Sequence, residues 1–208
     1  MIDFRDIEAA SGRIKGRVLR TPAVLSESLS RATGAEVVLK LDNLQATGAF
    51  KERGAANRLS LLTPEERRSG VIAVSAGNHA QAVARHASLL GVSATIVMPK
   101  FTPTTKITRT AAWGARVLLH GETLAQASEH AHLLSRREGL VFIHPYDDAA
   151  VIAGQGTLAL ELLQDFPDLD VMLVPTGGGG LLAGCSVVAT ALASRMQILG
   201  VEIGRAHV

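Results

Sequence analysis

The sequence predicts an α/β fold in which parallel strands alternate with helices that cover both faces of the sheet. Short runs rich in β-branched residues alternate along the chain with stretches whose apolar residues recur every three or four positions. Hydrophobic residues make up 47% of the chain and charged residues 19%, so a large core can form and disorder is not expected. The predicted strands are 37–40, 71–75, 94–98, 116–119, 141–143, 171–174 and 197–201.

Helices are predicted between these strands from the same periodicity. Residues 78–90 carry their apolar side chains on one face, and residues 181–194 are apolar on nearly all sides. The remaining predicted helices are 122–138 and 154–166. A length of 208 residues allows one large domain or two small ones, and periodicity does not decide whether the strands form one sheet or two.

The composition excludes several classes of function. The net charge is +2 and aromatic residues make up 3% of the chain, which argues against a nucleic-acid surface. The single cysteine, Cys185, excludes a disulfide framework and a cysteine-based zinc site, and the histidines show no metal-ligand spacing, so no metal is predicted. We expect a cytoplasmic protein without a membrane partner, because the sequence shows no signal core and no membrane-spanning stretch.

Lys51 lies where a glycine-containing turn leads into a predicted helix. The first turn of a helix carries partial positive charge, so a charged ammonium is disfavoured there and a neutral amine is tolerated. A neutral lysine amine is the form that attacks a carbonyl carbon and builds a Schiff base. The alternative is a solvated surface lysine.

A predicted strand and a predicted helix are joined by four consecutive glycines, Gly177, Gly178, Gly179 and Gly180. Without Cβ atoms the backbone can approach a ligand closely, and the free amides of a helix start favour an anion. This junction predicts a phosphate site, with a flexible turn as the alternative. A dinucleotide site also stays open, because Glu202 ends the next strand where an acidic ribose ligand would lie, although the spacing misses G-x-G-x-x-G.

A further strand-to-helix junction contains Ser75, Ala76, Gly77, Asn78 and His79. Its amides can gather a carboxylate, and Asn78 can hydrogen-bond a ring hydroxyl. The alternative is an ordinary helix start with Asn78 as N-cap and the His79 ring turned to a backbone carbonyl. Together the three junctions predict a site for pyridoxal 5′-phosphate, whose aldehyde suits Lys51, whose phosphate suits the glycines and whose ring is an electron sink.

Residues 47–55, 75–81, 152–157 and 177–181 resemble motifs of the serine/threonine dehydratases (threonine ammonia-lyases), which are tryptophan-synthase β-like, fold type II pyridoxal-phosphate enzymes. The resemblance covers about residues 5–201 in the family's order. It implies Lys51 as the lysine that bonds the cofactor, Asn78 beside the ring oxygen and Leu181 at the end of the phosphate loop. It implies that the substrate is bound by Ser75, Ala76, Gly77, His79 and Gln155. One departure is Ala49, where the family usually has serine.

The resemblance also implies two three-layer domains with parallel sheets, the smaller nested in the larger. We expect residues 1–43 and 149–201 in the larger domain and residues 44–148 in the smaller one. Because the family's fold continues beyond this length, we expect the C-terminal part of the large domain to be missing. Residues 202–208 fit neither a strand nor a domain end, and a reading frame of a common sequencing adapter encodes the same heptapeptide, so we expect a non-native tail.

The activity implied by the resemblance is dehydration and deamination of L-threonine and L-serine to a 2-oxo acid and ammonia. We expect a homo-oligomer at full length and an inactive fragment. Hydroxyaspartate dehydration and serine racemisation are alternatives, and the related racemases are implied to place a serine at the position of Ala76. Alternatives outside the family are a dinucleotide-dependent oxidoreductase, which gives Lys51 no role, and a non-catalytic module that binds a phosphorylated ligand.

Overall fold

The computed structural model describes residues 2–202, which form an α/β structure with three separate sheets. The helices are α1 (Phe4–Ile14), α2 (Glu27–Thr33), α3 (Lys51–Ser60), α4 (Pro64–Ser69), α5 (Asn78–Leu89), α6 (Thr104–Ala111), α7 (Leu124–Glu138), α8 (Ala149–Asp165) and α9 (Gly180–Leu192), with a 3-10 turn at Asp42–Leu44. The strands are β1 (Ala23–Leu25), β2 (Val38–Lys40), β3 (Val71–Val74), β4 (Ala94–Met98), β5 (Arg116–Leu119), β6 (Val141–Phe142), β7 (Val171–Pro175) and β8 (Gln197–Val201).

The largest sheet has four parallel strands in the order β5-β4-β3-β6. Strands β3 and β4 are buried along their whole length because helices cover both faces. Ala73 and Ile96 lie in the core that α5 shares, whereas Ile72 and Val97 lie in the core that α7 shares. This part of the chain therefore has the three layers that the sequence predicts.

A second core surrounds α1, α8 and α9, which pack against one face of β7. Helices α8 and α9 approach closely at Gly156 and Gly184, where a Cβ on Gly184 would lie 2.6 Å from the Gly156 nitrogen. Strand β7 pairs in parallel with β8 and alternates in burial, with Met172 buried and Leu173 exposed. An apolar groove of about 690 Å³ lies between this region and β2.

The structure corrects several details of the prediction. Strand β1 was not expected, and it pairs with β2 in the antiparallel sense, so one of the three sheets is not parallel. Among residues 2–202, helices cover the β7–β8 sheet on the β7 face that holds Met172. Helices α1, α2, α4 and α6 were also not expected; α2 and α4 have no buried residue, so they lack a strong apolar face.

The seven predicted strands are all present, with ends that differ by at most one residue from the predicted ones. No helix within residues 2–202 is both long enough and apolar enough to cross a membrane. The division into residues 1–43, 44–148 and 149–201 stays a prediction. Apart from Glu202, the tail that was predicted to be non-native lies outside the described residues.

Candidate active site

Three helices, α3, α5 and α9, begin at the segments that the sequence singles out. Within the described residues, none of the three has a side chain that caps its N-terminus. The first amides of a helix have no partner inside the helix, so an uncapped start leaves donors for a ligand at α5 and α9. At α3 the amides of Glu52 and Arg53 already donate to the carbonyl oxygens of Ala49 and Phe50. The segments before α5 and α9 follow strands β3 and β7, and ligands of parallel α/β sheets bind outside such carboxyl ends.

Lys51 is the first residue of α3, as predicted, and follows Gly48, whose φ of +75° suits only glycine in a tight turn. Its Nζ donates a hydrogen bond of 2.7 Å to the carbonyl oxygen of Pro145 and lies 5.2 Å from the centre of the Phe50 ring. Burial lowers the pKa of Lys51 below its ordinary value. The amine is thus partly desolvated and closer to the neutral form that reacts with carbonyl groups.

Glu52, the residue after Lys51, is fully buried and ties three segments together. Its carboxylate accepts hydrogen bonds from the Thr47 amide, from Arg85 at 2.8 Å and from His86 at 3.1 Å. Burial alone would raise the pKa of Glu52, but these bonds and the Arg85 charge hold it below its ordinary value. Glu52 therefore joins the turn before Lys51 to α5.

Arg53 anchors α3 from behind through a buried ion cluster. Its guanidinium donates to Asp42 at 2.7 and 2.8 Å and to Glu161 at 2.8 and 2.9 Å. Lys40 donates to the same Glu161 carboxylate at 2.7 Å. Burial alone would lower the pKa of Arg53, but the two carboxylates raise it above its ordinary value. Glu52 and Arg53 are not predicted as site residues from the sequence, because charged side chains are usually exposed.

The glycine loop leads from β7 into α9, which begins at Gly180. Gly179 has a φ of +83°, and a Cβ on Gly177 or Gly179 would meet no atom of the described residues within 4 Å. Both positions therefore face open space that a side chain would fill. The amides of Gly180 and Leu181 lie in the uncapped first turn, while the Leu181 side chain is buried in the core.

The turn after β3 differs in part from its prediction. The N-cap of α5 is Gly77 rather than Asn78, which is the first helical residue and is exposed, so the N-cap alternative for Asn78 was wrong. The Ser75 hydroxyl accepts the Gly77 amide at 3.0 Å, which removes one of the amides expected to gather a carboxylate. Ala76 is half-buried within the same turn.

His79 is almost fully buried, with its Nε2 3.0 Å from the carbonyl oxygen of Ile143. The structure therefore places the ring against a backbone carbonyl, which was the alternative to substrate binding. Its Nδ1 has no hydrogen-bond partner among residues 2–202. Burial lowers the pKa of His79 to about 4, so the ring is neutral near pH 7.

Gln155 lies inside the structure rather than on an exposed segment. It is buried in α8, and its Oε1 accepts the Gly54 amide of α3 at 3.2 Å. Its Nε2 is buried without a hydrogen-bond partner in the described part of the chain. Contact between Gln155 and a substrate stays a prediction.

Residues 144–148, which we call the bridging turn, connect β6 to α8 and contact two of the predicted site segments. Pro145 accepts the hydrogen bond from Lys51. The Tyr146 ring covers Gly178 so closely that a Cβ there would collide with it, and a Cβ on Gly180 would lie 2.7 Å from the Tyr146 carbonyl oxygen. Asp148 caps α8 by accepting the Val151 amide.

The contacts of Pro145 and Tyr146 are not predicted from the sequence. Strand β6 pairs directly with β3, which places the two following turns at the same edge of the sheet. Tyr146 is the only tyrosine of the chain, and its place directly after a strand was the available signal.

The geometry of the described residues fits a bound pyridoxal phosphate. The glycine loop is open where phosphate oxygens need room, α9 starts without a cap, and Lys51 supplies a partly desolvated amine. In addition, the Thr47 hydroxyl, four residues before Lys51, is buried without a partner among the described residues. A buried polar group without a partner is costly, which favours a bound polar ligand nearby.

Comparison with known proteins agrees with this fit. The family described as pyridoxal-phosphate dependent enzymes matches residues 14–208. The L-threonine ammonia-lyase of Thermotoga maritima is 48% identical over 202 residues, which are 97% of this chain and 50% of that protein. The catabolic L-threonine dehydratase TdcB of Staphylococcus aureus is 43% identical over all 208 residues, which are 60% of its length.

Among solved structures, the serine racemase of Dictyostelium discoideum superposes with a TM-score of 0.92 at 35% identity, covering 97% of this chain and 66% of that one. The chain therefore belongs to the pyridoxal-phosphate dependent enzymes, with the fold type II architecture that the family resemblance implies. It spans 50 to 60% of the length of the two curated relatives. The family match runs to residue 208, and the non-native origin of residues 202–208 stays a prediction.

Proposed function

We propose that the full-length protein dehydrates and deaminates L-threonine, and L-serine, to a 2-oxo acid and ammonia. One observation carries the proposal: the partly desolvated Lys51 amine and the glycine loop contact the same bridging turn. An aldehyde-binding amine and a phosphate cradle are therefore held at one place. The two curated relatives, named for threonine ammonia-lyase and threonine dehydratase, support this choice of substrate.

When bound, pyridoxal phosphate supplies an electron sink for negative charge at the Cα of an amino acid. Lys51 would hold the cofactor aldehyde at rest, and once the substrate amine has displaced it, its free neutral Nζ would accept the Cα proton. Gly177, Gly178, Gly179, Gly180 and Leu181 hold the phosphate through backbone amides. The β-hydroxyl leaves together with a proton as water, and a second water hydrolyses the released enamine to the 2-oxo acid and ammonia.

On the substrate side, the Ser75–Gly77 turn and the open first turn of α5 bind the carboxylate, and Asn78 orients the cofactor ring. The exposure of Asn78 and the missing side-chain cap of α5 support these assignments. His79 acts through its contact with Ile143, which holds the α5 start against the end of β6. We further propose a cytoplasmic homo-oligomer.

Racemisation is the alternative within the family, and similar solved structures include a serine racemase. Reversing the configuration at Cα requires a proton donor on the face opposite Lys51. Ala76 lies in the turn before α5 and has no exchangeable proton, which favours dehydration over racemisation.

The proposal is tested by assaying the full-length protein with L-threonine, L-serine and hydroxyaspartate. Ammonia and 2-oxo acid are measured by coupled assays, and the enantiomers of serine by chiral chromatography. We expect 2-oxo acid from threonine and serine, with serine dehydrated faster than it is racemised. Faster racemisation, or cofactor binding without ammonia release from any of the three, would contradict the proposal.

A further inference from the structure

His144 begins the bridging turn and accepts the backbone amides of that turn. Its Nδ1 lies 2.7 Å from the Asp147 nitrogen and 3.3 Å from the Tyr146 nitrogen. Both partners are backbone N–H groups, which only donate, so Nδ1 must be the acceptor. Pro145, which lies between His144 and Tyr146, has no N–H to donate. The geometry therefore fixes the neutral ring with its proton on Nε2.

The same turn holds two parts of the site. The Pro145 carbonyl receives the Lys51 amine, and the Tyr146 ring lies against the Gly178 backbone. We propose that His144 is a positioning residue: its unprotonated Nδ1 holds the bridging turn against Lys51 and the glycine loop, and protonation of the ring releases the turn and weakens retention of pyridoxal phosphate. This inference rests on the proposed cofactor site.

The surroundings of His144 favour the neutral ring. Burial lowers its pKa, Asp147 and Asp148 oppose that change, and His132 and Lys51 add to it, with a net pKa below the ordinary value. The Phe142 ring, 6.2 Å away by centroids, and the edge-on Tyr146 ring at 4.7 Å complete its contacts. Because the pKa of His144 is lowered, its Nδ1 is fully available as an acceptor at any pH above the ordinary histidine pKa. The acceptor is lost as the pH falls through the lowered pKa.

Two substitutions test separately the hydrogen-bond acceptor and the aromatic ring of His144. His144→Phe keeps an aromatic ring between Phe142 and Tyr146 but removes the acceptor. His144→Asn keeps a short side-chain oxygen that can accept amides of a following turn and does not titrate. His130→Gln is the matched control, because His130 is also a histidine with a lowered pKa but is paired with His120 rather than with the turn.

The first measurement is the dissociation constant of pyridoxal 5′-phosphate by fluorescence titration between mildly acidic and mildly basic pH. In the basic range we expect His144→Phe to bind about tenfold more weakly than wild type, because two hydrogen bonds are lost, and His144→Asn to lie within about threefold. In wild type and His130→Gln, affinity falls further at acidic pH than in His144→Asn. Titration of the cofactor phosphate and of Lys51 is common to all variants, so this difference isolates His144.

The second measurement uses the wild-type protein alone, so it does not depend on how a variant folds. A long-range proton–nitrogen NMR spectrum identifies which ring nitrogen of His144 carries the proton, and we expect Nε2 at basic pH. A proton on Nδ1, or a His144→Phe variant with the affinity and pH profile of wild type, would overturn the inference. Failure of cofactor to attach at Lys51 would instead contradict the proposed function and leave the NMR result standing.

Discussion

The helices of this protein begin in two different ways. Helices α1, α2, α4, α7 and α8 each start with a side-chain cap, provided by Asp3, Ser26, Thr63, Thr123 and Asp148. Helices α3, α5 and α9 start without a side-chain cap within the described residues, and all three start at the candidate active site. Among the other α-helices of residues 2–202, only α6, which follows Pro103, is uncapped.

The difference shows how a helix start can be kept open for a ligand and still be fixed in place. A capped helix is held at its first residue, because the cap satisfies an amide that has no partner in the helix. At the site, α3 is held within its first turn by the buried side chains of Glu52 and Arg53, and α5 is held by His79. Buried polar contacts behind the helix start therefore replace the cap.

The largest expected effect comes from removing the anchor of α3. Arg53→Met leaves the Asp42 and Glu161 carboxylates buried without their main partner, which costs about 3 to 5 kcal/mol. Urea unfolding followed by circular dichroism measures the loss. The control is Arg20→Met, at the exposed pair with Asp165, which changes stability by less than about 1 kcal/mol. Equal effects of the two substitutions would refute the anchoring role.

The anchor of α5 depends on pH. His79 has a pKa of about 4 in the folded protein, against 6.5 without burial, so protons bind more readily to the unfolded chain between these values. The contribution of neutral His79 to the free energy of unfolding is fully present above pH 6.5 and is lost as the pH falls to about 4. Its size is on the order of 3 kcal/mol. Unfolding at a series of pH values should show this slope in wild type and His120→Gln, and a shallower slope in His79→Phe. An unchanged slope in His79→Phe would contradict it.

The open start of α9 is tested by Gly177→Ala. The added Cβ meets no described atom within 4 Å, so stability should change by less than about 0.5 kcal/mol. Because it fills the phosphate space, affinity for pyridoxal phosphate should fall about tenfold, the equivalent of one charge-assisted hydrogen bond. Gly12→Ala, in α1 and equally free of neighbours, is the control and should leave affinity unchanged. Unchanged affinity in Gly177→Ala would place the phosphate elsewhere.

The smallest expected effects compare a capped helix start directly with an uncapped one. Thr123→Ala removes the cap of α7 and should cost about 1 kcal/mol of stability without affecting the cofactor. Asn78→Ala, at the open start of α5, should leave stability unchanged and weaken cofactor binding by about fivefold. Thermal unfolding and cofactor titration are compared for both variants. A stability loss in Asn78→Ala equal to that in Thr123→Ala would mean that Asn78 has a capping role after all.

The regular part of this structure is predictable from the sequence because the periods of strands and helices follow from burial. The run at 94–98 coincides with β4, which is buried along its whole length and rich in β-branched residues. The run at 116–119 coincides with β5, although this edge strand is only partly buried. The three-residue strand β1 was not predictable from its short, largely exposed run. Its antiparallel pairing with β2 depends on tertiary contacts rather than on local pattern.

The candidate site likewise has features that local sequence predicts and features that it does not. Lys51 at a helix start and the glycine loop at a strand-to-helix junction follow from local chemistry, and the structure places both there. The contacts of Tyr146 with Gly178 and of Glu52 with Arg85 join residues far apart in sequence, so the local pattern does not identify their partners. Asn78 was also not placed correctly by local pattern. Asparagine is a preferred N-cap residue, but in the structure Gly77 is the N-cap and Asn78 is the first residue of α5.

The central claim is that the uncapped start of α3 presents Lys51 to the cofactor, and it is tested by chemical trapping. The full-length protein is incubated with pyridoxal phosphate, reduced with borohydride and digested, and the modified peptide is identified by mass spectrometry. We expect the cofactor on Lys51, and no stable adduct in Lys51→Ala, which should still bind phosphate through the glycine loop. Modification of Lys40, Lys100 or Lys106 in place of Lys51 would contradict the account.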